Sequence, residues 1–405
     1  MRLYDAKRDG DACFRIFREV GWAEPDARQP FDMLVEASRA LVEEVGGSPE
    51  CMVLSVPGLI DYQGQRLPFW GISGVTTSRV ARKLGLAQRV TAETVARAAD
   101  DGAAVVGLGM FEQGFYNQLG FGVGSYHHEI AFDPADLVVE RPFGTPVRLD
   151  ASHAGEMHRA RLQRLHWHGM VDILPEAITA FDARVAKDAF GLGYRDATGE
   201  LTHFVWCNSK GEHGPYDVWW MVYRDWEQFL ELLALLKALG DQVNTIRMGE
   251  PPTVQMQDLV RKPFKSERIR RRSEHEAGIE AAAWWQIRIC DLQACVRATH
   301  LYGPTVRFGL QLDDPITCKL QERAGWRGVG GEYTVSLGQE SAVSDGLAPG
   351  LPVMRATVNA VSRLWLGVRP ATGLAVTDDL IAPPELLRQL DDALRLPVPQ
   401  IDWGF

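Results

Sequence analysis

The chain has 405 residues, 46% of them apolar and 24% charged, and carries a formal net charge of −10. That length exceeds one ordinary core and predicts two or three globular domains. The acidic balance argues against general nucleic-acid binding, which needs a basic face, and is compatible with cationic amine partners. Met1-Arg2-Leu3-Tyr4-Asp5-Ala6-Lys7-Arg8-Asp9 has no apolar signal core, and no apolar run approaches the ~20 residues of a membrane span. The six cysteines are scattered without a Cys-x-x-Cys, so buried free thiols in a reducing cytoplasm are expected.

In chain order, residues 11–21 and 31–46 read as helices, the second from Phe31, Leu34, Val35, Leu41, Val42 and Val45 at helical spacing. Glu50 to Val56 and Gln65 to Thr77 read as strands, with Pro57-Gly58 and Tyr62-Gln63-Gly64 as turns. The second strand leads into Arg82-Lys83-Leu84-Gly85-Leu86-Ala87, then a helical pattern through Ala99. A further strand is expected from Ala103 to Met110, followed by the aromatic segment Gly114-Phe115-Tyr116-Asn117-Gln118-Leu119-Gly120-Phe121-Gly122. Gly124 to Phe132 reads as a strand, and the prolines between Pro142 and Pro146 mark a boundary.

A second unit repeats the order strand, strand, helix, strand at Leu201–Asn208, Val218–Arg224, Trp226–Leu239 and Val243–Met248, as a duplication would. Where the first unit has its basic glycine turn, this one has Tyr223-Arg224-Asp225-Trp226-Glu227, whose carboxylates would repel phosphate. A basic cluster at 261–272 reads as a solvated segment or oligomer contact. The third unit begins near Trp284-Trp285, has strands at Thr305–Gln311 and Glu332–Ser336, and has helices at Thr357–Leu366 and Pro384–Leu394. It ends in a proline-containing tail through Trp403 and Phe405.

Strand, basic glycine turn, helix, strand is a phosphate-binding layout. The first N–H groups of a helix are unpaired and point outward, and the helix dipole there favours an anion. Gly85 lets the backbone approach a ligand closely, while Arg82 and Lys83 add positive charge. Other chemistries find less support. His166-Trp167-His168 and His127-His128 lack companions at zinc spacing, so no metal is expected. There is no Gly-x-Ser-x-Gly elbow or Walker string, and the glycine-rich pieces near Gly107 and Gly120 lack dinucleotide spacing.

Arg82-x-x-Gly85-x-Ala87 after a strand, with Tyr116 about thirty residues on, resembles the acetyl-CoA site of GNAT N-acetyltransferases. The Gly114–Gly122 segment and the terminal Phe405 resemble the enhanced intracellular survival (Eis) branch of that family. The resemblance implies an α/β fold with α+β mixed sheets: a catalytic GNAT domain at 1–143, a degenerate GNAT-like domain at 144–288, and a sterol-carrier-like domain at 289–405. It implies acetyl-CoA as co-substrate, with contacts at Val75, Thr77, Arg82, Lys83, Gly85 and Leu86, and no metal. By the same resemblance Tyr116 is the acid and the Phe405 carboxylate the base. The early helices would wall the acceptor side, making Trp22, Phe31 and Trp70 candidate pocket residues; each also reads as plain core. A cytoplasmic homo-oligomer, a hexamer, and a small cationic or polyamine-like amine acceptor are further implications. Family members carry small residues where this chain has Met110-Phe111, which puts the pantetheine slot in question. Two other functions stay open: a non-catalytic acyl-CoA binder, and a lipid carrier acting through residues 290–405.

Overall fold

The computed structural model describes the chain apart from residues 187, 263–266, 269–275, 321–324 and 405. Most of the basic cluster expected at 261–272, and Phe405, therefore lie outside the described residues. The architecture is mixed α/β with three mixed sheets, divided between two compact units. One comprises residues 1–125, 167–175 and 283–405, and the other residues 126–166 and 176–282.

The first unit opens with β1 (Arg2–Leu3), α1 (Ala6–Glu19), α2 (Arg28–Glu36), β2 (Arg39–Val45), β3 (Ser48–Tyr62) and β4 (Gln65–Thr77). It continues with α3 (Leu86–Asp100), β5 (Val105–Gly109), α4 (Gln113–Asn117) and β6 (Gly122–Val123). Two expectations change here. Residues 39–45 are a strand, paired to β1 and β3, and not the end of a helix. Leu41 packs with Val53 and α3, while Val42 packs with Met52, Leu54 and the α1–α2 layer. Both faces of β2 are covered, so both neighbours are apolar and the alternation that marks a half-buried strand is lost. Pro57-Gly58 is likewise not a turn, because β3 runs straight through it. The strand Val171–Ile173 pairs there, and a Cβ on Gly58 would lie 2.3 Å from the Asp172 carbonyl oxygen.

The first sheet runs β1-β2-β3-β4-β5, then the strand Trp285–Ile289, then β6. The boundary expected at 288/289 is thus not where the chain changes sheet, since Trp285–Ile289 lies antiparallel between β5 and β6. Beyond it, still in this unit, is a five-stranded sheet centred on Val306–Asp313, parallel to Val353–Thr357 and antiparallel to Gly331–Leu337. The helix Val358–Trp365 follows the parallel strand. The tail docks back on the unit. Trp403 is 1% exposed and Ile401 is buried, the Gln400 N–H donates to the His168 carbonyl at 3.2 Å, and Ser125 donates to the Pro399 carbonyl.

The second unit holds an eight-stranded sheet. Within it, Leu201–Ser209 and Tyr216–Val222 are antiparallel, the helix Trp226–Ala238 follows, and Ile246–Gly249 returns parallel to Tyr216–Val222. This is the order of β3, β4, α3 and β5. No helix among the described residues is long and apolar enough to cross a membrane, and no group of three metal-ligating side chains forms among them.

Candidate active site

The site is set by where β4 and β5 part. These strands are parallel and pair from Phe69 with Val105 to Ile72 with Leu108. Past Ile72, β4 continues to Thr77 with β3 as its one strand partner among the described residues. Ligands of open α/β sheets bind in such a crevice, outside the carboxyl ends of parallel strands. A bulge deforms β4 at the same point: Met52 pairs with Thr76 and Leu54 with Ser73, so Gly74 and Val75 face Val53 alone. Gly74 has φ +56°, and a Cβ there would meet Leu54 Cδ1 at 2.9 Å and Phe17 Cζ at 3.2 Å. Both conformation and space require glycine.

From β4 the chain makes one 3₁₀ turn (Arg79–Ala81) and enters α3. Lys83 and Gly85 both have positive φ, +66° and +74°. Gly85 caps α3 and no side chain caps the first N–H groups, which leaves them for a ligand. The side chains of Arg82 and Lys83 are exposed and have no ion-pair partner among the described residues. Leu86 is buried and anchors the helix start, and Arg89 braces the turn, donating to the Leu84 carbonyl at 2.9 Å and to Glu43 Oε1 at 3.1 Å. Arg89 was not predicted, although its place one helical turn beyond Gly85 is a readable signal. Val75 packs half-buried on the α3 side of the sheet, and Thr77 Oγ1 lies 3.5 Å from Cys51 Sγ.

The corresponding turn of the second unit is closed. Asp225 caps its helix by accepting from the Gln228 N–H at 2.8 Å, and Gln228 Oε1 accepts from the Arg224 N–H at 2.8 Å. A carboxylate already occupies the position an anion would need.

Tyr116 lies on α4 and is 2% exposed. Phe115 stands edge-on to its ring at 4.9 Å, Phe111 at 5.7 Å and Phe121 at 6.2 Å. Burial raises the phenol's pKa well above its usual value, and the hydroxyl has no hydrogen-bond partner among the described residues. It is a neutral, unpaired donor at neutral pH. Phe111 is 72% exposed. Glu112 spends its Oε1 on the Gly114 N–H at 2.9 Å, capping α4.

The three candidate acceptor-side aromatics fall into two groups. Trp22, 57% exposed, stacks edge-on to Phe17 at 5.8 Å, and Phe17 contacts buried Phe31 at 4.9 Å. This pair sits with α1 and α2 over the Gly74 bulge. Trp70 packs with the α3-side core and lies under the Arg39 guanidinium, 4.8 Å from the ring centroid. The structure does not bring it to Trp22 and Phe31.

Residues 6–124 match the family model described as an acetyltransferase (GNAT) domain. No curated protein matches the chain by sequence. Solved structures resemble it over its whole length. A conserved protein of unknown function from Enterococcus faecalis V583 is 17% identical with a TM-score of 0.81, and the match covers 100% of this chain and 98% of that one. A GCN5-related N-acetyltransferase from Kribbella flavida is 20% identical with a TM-score of 0.76, again over 100% and 98%. Eis1 from Mycobacterium abscessus is 17% identical with a TM-score of 0.76, over 100% and 99%. Residues 6–124 thus carry an acetyltransferase domain of the GNAT family, within a chain whose full length takes the fold of these GCN5-related and Eis-type structures.

Proposed function

We propose that the chain is an N-acetyltransferase that moves an acetyl group from acetyl-CoA to the amine of a small cationic or polyamine-like acceptor by direct attack. The observation that carries this reading is the turn from β4 into α3. Two positive-φ residues, an uncapped helix start and two uncompensated cations lie at the carboxyl end of a strand that has left its parallel neighbour. Such a turn suits a pyrophosphate, and the Asp225-capped turn of the second unit does not. In this reading Val75 and Thr77 offer the backbone of β4 to the pantetheine arm and acetyl carbonyl, and Arg82, Lys83, Gly85 and Leu86 hold the phosphates.

Attack of the neutral amine on the thioester carbonyl forms the C–N bond, and the C–S bond breaks to release the thiolate. Tyr116 is suited to protonate that thiolate, because its hydroxyl is neutral and otherwise unpaired, and the proton that the nitrogen sheds as it becomes an amide returns to the tyrosinate. The ammonium form of the acceptor must first lose a proton. We assign that role to the terminal carboxylate of Phe405, whose tail is held through Trp403 and Pro399. A carboxylate of pKa about 3.5 is a weak base for an alkylammonium, so it acts through water and by drawing in a cationic acceptor. A hexameric assembly belongs to the same proposal and is checked by light scattering.

Lipid carriage gains no support. The C-terminal sheet and its helices enclose an apolar cavity, lined by Phe308, Met354, Leu364 and Trp365 among others, of only about 40 Å³. Benzene is held by an apolar cavity of ~150 Å³, so this cavity would not take a sterol or acyl chain.

Calorimetry with CoA tests the site. Gly85→Asp would place a carboxylate and a Cβ against the phosphates, and binding should be lost; a folded variant with unchanged affinity would rule the turn out. Mass spectrometry after incubation with acetyl-CoA and spermine, kanamycin or lysine methyl ester then identifies the acceptor class.

A further inference from the structure

The helix that carries Tyr116 has five residues, far short of the ~12–15 at which an isolated helix becomes even marginal in water. Its orientation must come from what grips it, and the grip comes from distant parts of the chain. Asn359, in the first turn of the helix Val358–Trp365, donates its Nδ2 hydrogens to the carbonyls of Asn117 and Phe121, each at 2.9 Å. These two carbonyls bracket the turn that closes α4. Approach is close enough that a Cβ on Gly122 would lie 2.5 Å from the Asn359 carbonyl oxygen. Gln286 Nε2 reaches the Gln113 carbonyl at 3.2 Å, at the other end of α4. At its reactive end Tyr116 has no hydrogen bond among the described residues, so the ring is aimed by its backbone and by core packing, the edge-on phenylalanines included.

We propose that Asn359 is a positioning residue for Tyr116: by holding the Asn117 and Phe121 carbonyls together it fixes the turn that aims the phenol. It does not touch the reacting atoms. The inference rests on the acid role assigned to Tyr116 above. A misplacement of about 1 Å by a distant change can cost on the order of 10²-fold in rate, which sets the expected scale.

Two variants separate aiming from mere stability. Asn359→Asp is isosteric and takes away both donors, while a carboxylate in a first helical turn is favourable to the helix itself. Asn359→Ala removes the donors without adding charge. Each is made in the full chain with Tyr116 and again with Tyr116→Phe, and kcat and KM for acetyl-CoA are measured with the fastest acceptor among spermine, kanamycin and lysine methyl ester. With Tyr116 present, kcat should fall about 10- to 100-fold while KM for acetyl-CoA moves less than about twofold. In the Tyr116→Phe chain the further loss should stay under about twofold, as for two residues acting as one unit. Equal losses in both backgrounds, or full turnover in both, would overturn the positioning role. Tyr116→Phe alone judges the underlying reading: full turnover there removes the acid, and the positioning role with it. A slowed Tyr116→Phe with additive Asn359 losses removes only the positioning role.

Discussion

Gly85 and Tyr116 carry different parts of the proposed reaction, one through its backbone conformation and the other through its hydroxyl. Gly85 stands where a strand meets a helix start, and its φ of +74° is the conformation that made glycine informative there. Tyr116 was visible only through a family pattern, since a tyrosine among phenylalanines reads equally well as core. Its environment now gives a quantitative expectation. The hydroxyl has no partner among the described residues, so Tyr116→Phe should leave the melting temperature almost unchanged while kcat falls roughly 10²–10⁴-fold. A rate loss under about threefold would return Tyr116 to the core. Asn359 was not legible, because nothing local distinguishes an asparagine in a first helical turn from one facing water. Its partners stand more than two hundred residues away, and only the folded chain joins them.

At the level of elements, strands and helices flanking the crevice were legible wherever one face is polar. Legibility failed at β2, where helices cover both faces, and at Pro57-Gly58, where turn chemistry masks a strand that pairs with Val171–Ile173. The strand Trp285–Ile289 held a readable clue in Arg288, a charge inside an apolar run. Arg288 and Asp314 are both fully buried and pair at 2.8 Å, and Arg288 also donates to the Leu119 carbonyl just past α4. Asp314→Ala would strand a buried guanidinium, so urea unfolding should register a loss of about 3–5 kcal/mol; a loss under about 1 kcal/mol would mean that water or another group takes the charge. His168 makes the tail's dock sensitive to acid. Burial lowers its pKa, against the opposing pull of the Leu366 carbonyl and Asp61, and its Nδ1 accepts from the Gln63 N–H at 3.3 Å. The folded state keeps the ring neutral while the unfolded chain takes up a proton near pH 6.5. The stabilisation is therefore complete above that pH and is lost as pH falls through it toward the folded value. Melting temperature should drop between about pH 7 and pH 5.5, and His168→Gln should flatten that slope; identical slopes would exonerate the imidazole.

For the molecule as a whole, the proposed reaction assigns the acceptor's proton to the Phe405 carboxylate. A C-terminal extension converts the Phe405 carboxylate to an amide while leaving the phosphate turn alone. Such a protein should bind CoA normally and acetylate amines very slowly, with the rate restored by cleavage back to Phe405. Equal turnover before and after cleavage would place the base elsewhere, with Asp402 and Glu112 next to be tried.

The strand Trp285–Ile289 also ties the working site to the timing of synthesis. On the ribosome, β1 to β6 emerge first, yet β5 has no neighbour on one side until Trp285 and the residues after it have been made. At translation rates of 5–20 residues per second that interval is on the order of 10–30 s. Throughout it the nascent chain presents an open parallel-sheet edge, of the kind that recruits unwanted strands, beside an α4 not yet gripped by Gln286, Arg288 or Asn359. The second unit is translated within that interval and can fold before the first has closed. Newly made protein should therefore depend on chaperones more than its final stability suggests, and acquire activity only after its last third has left the exit tunnel.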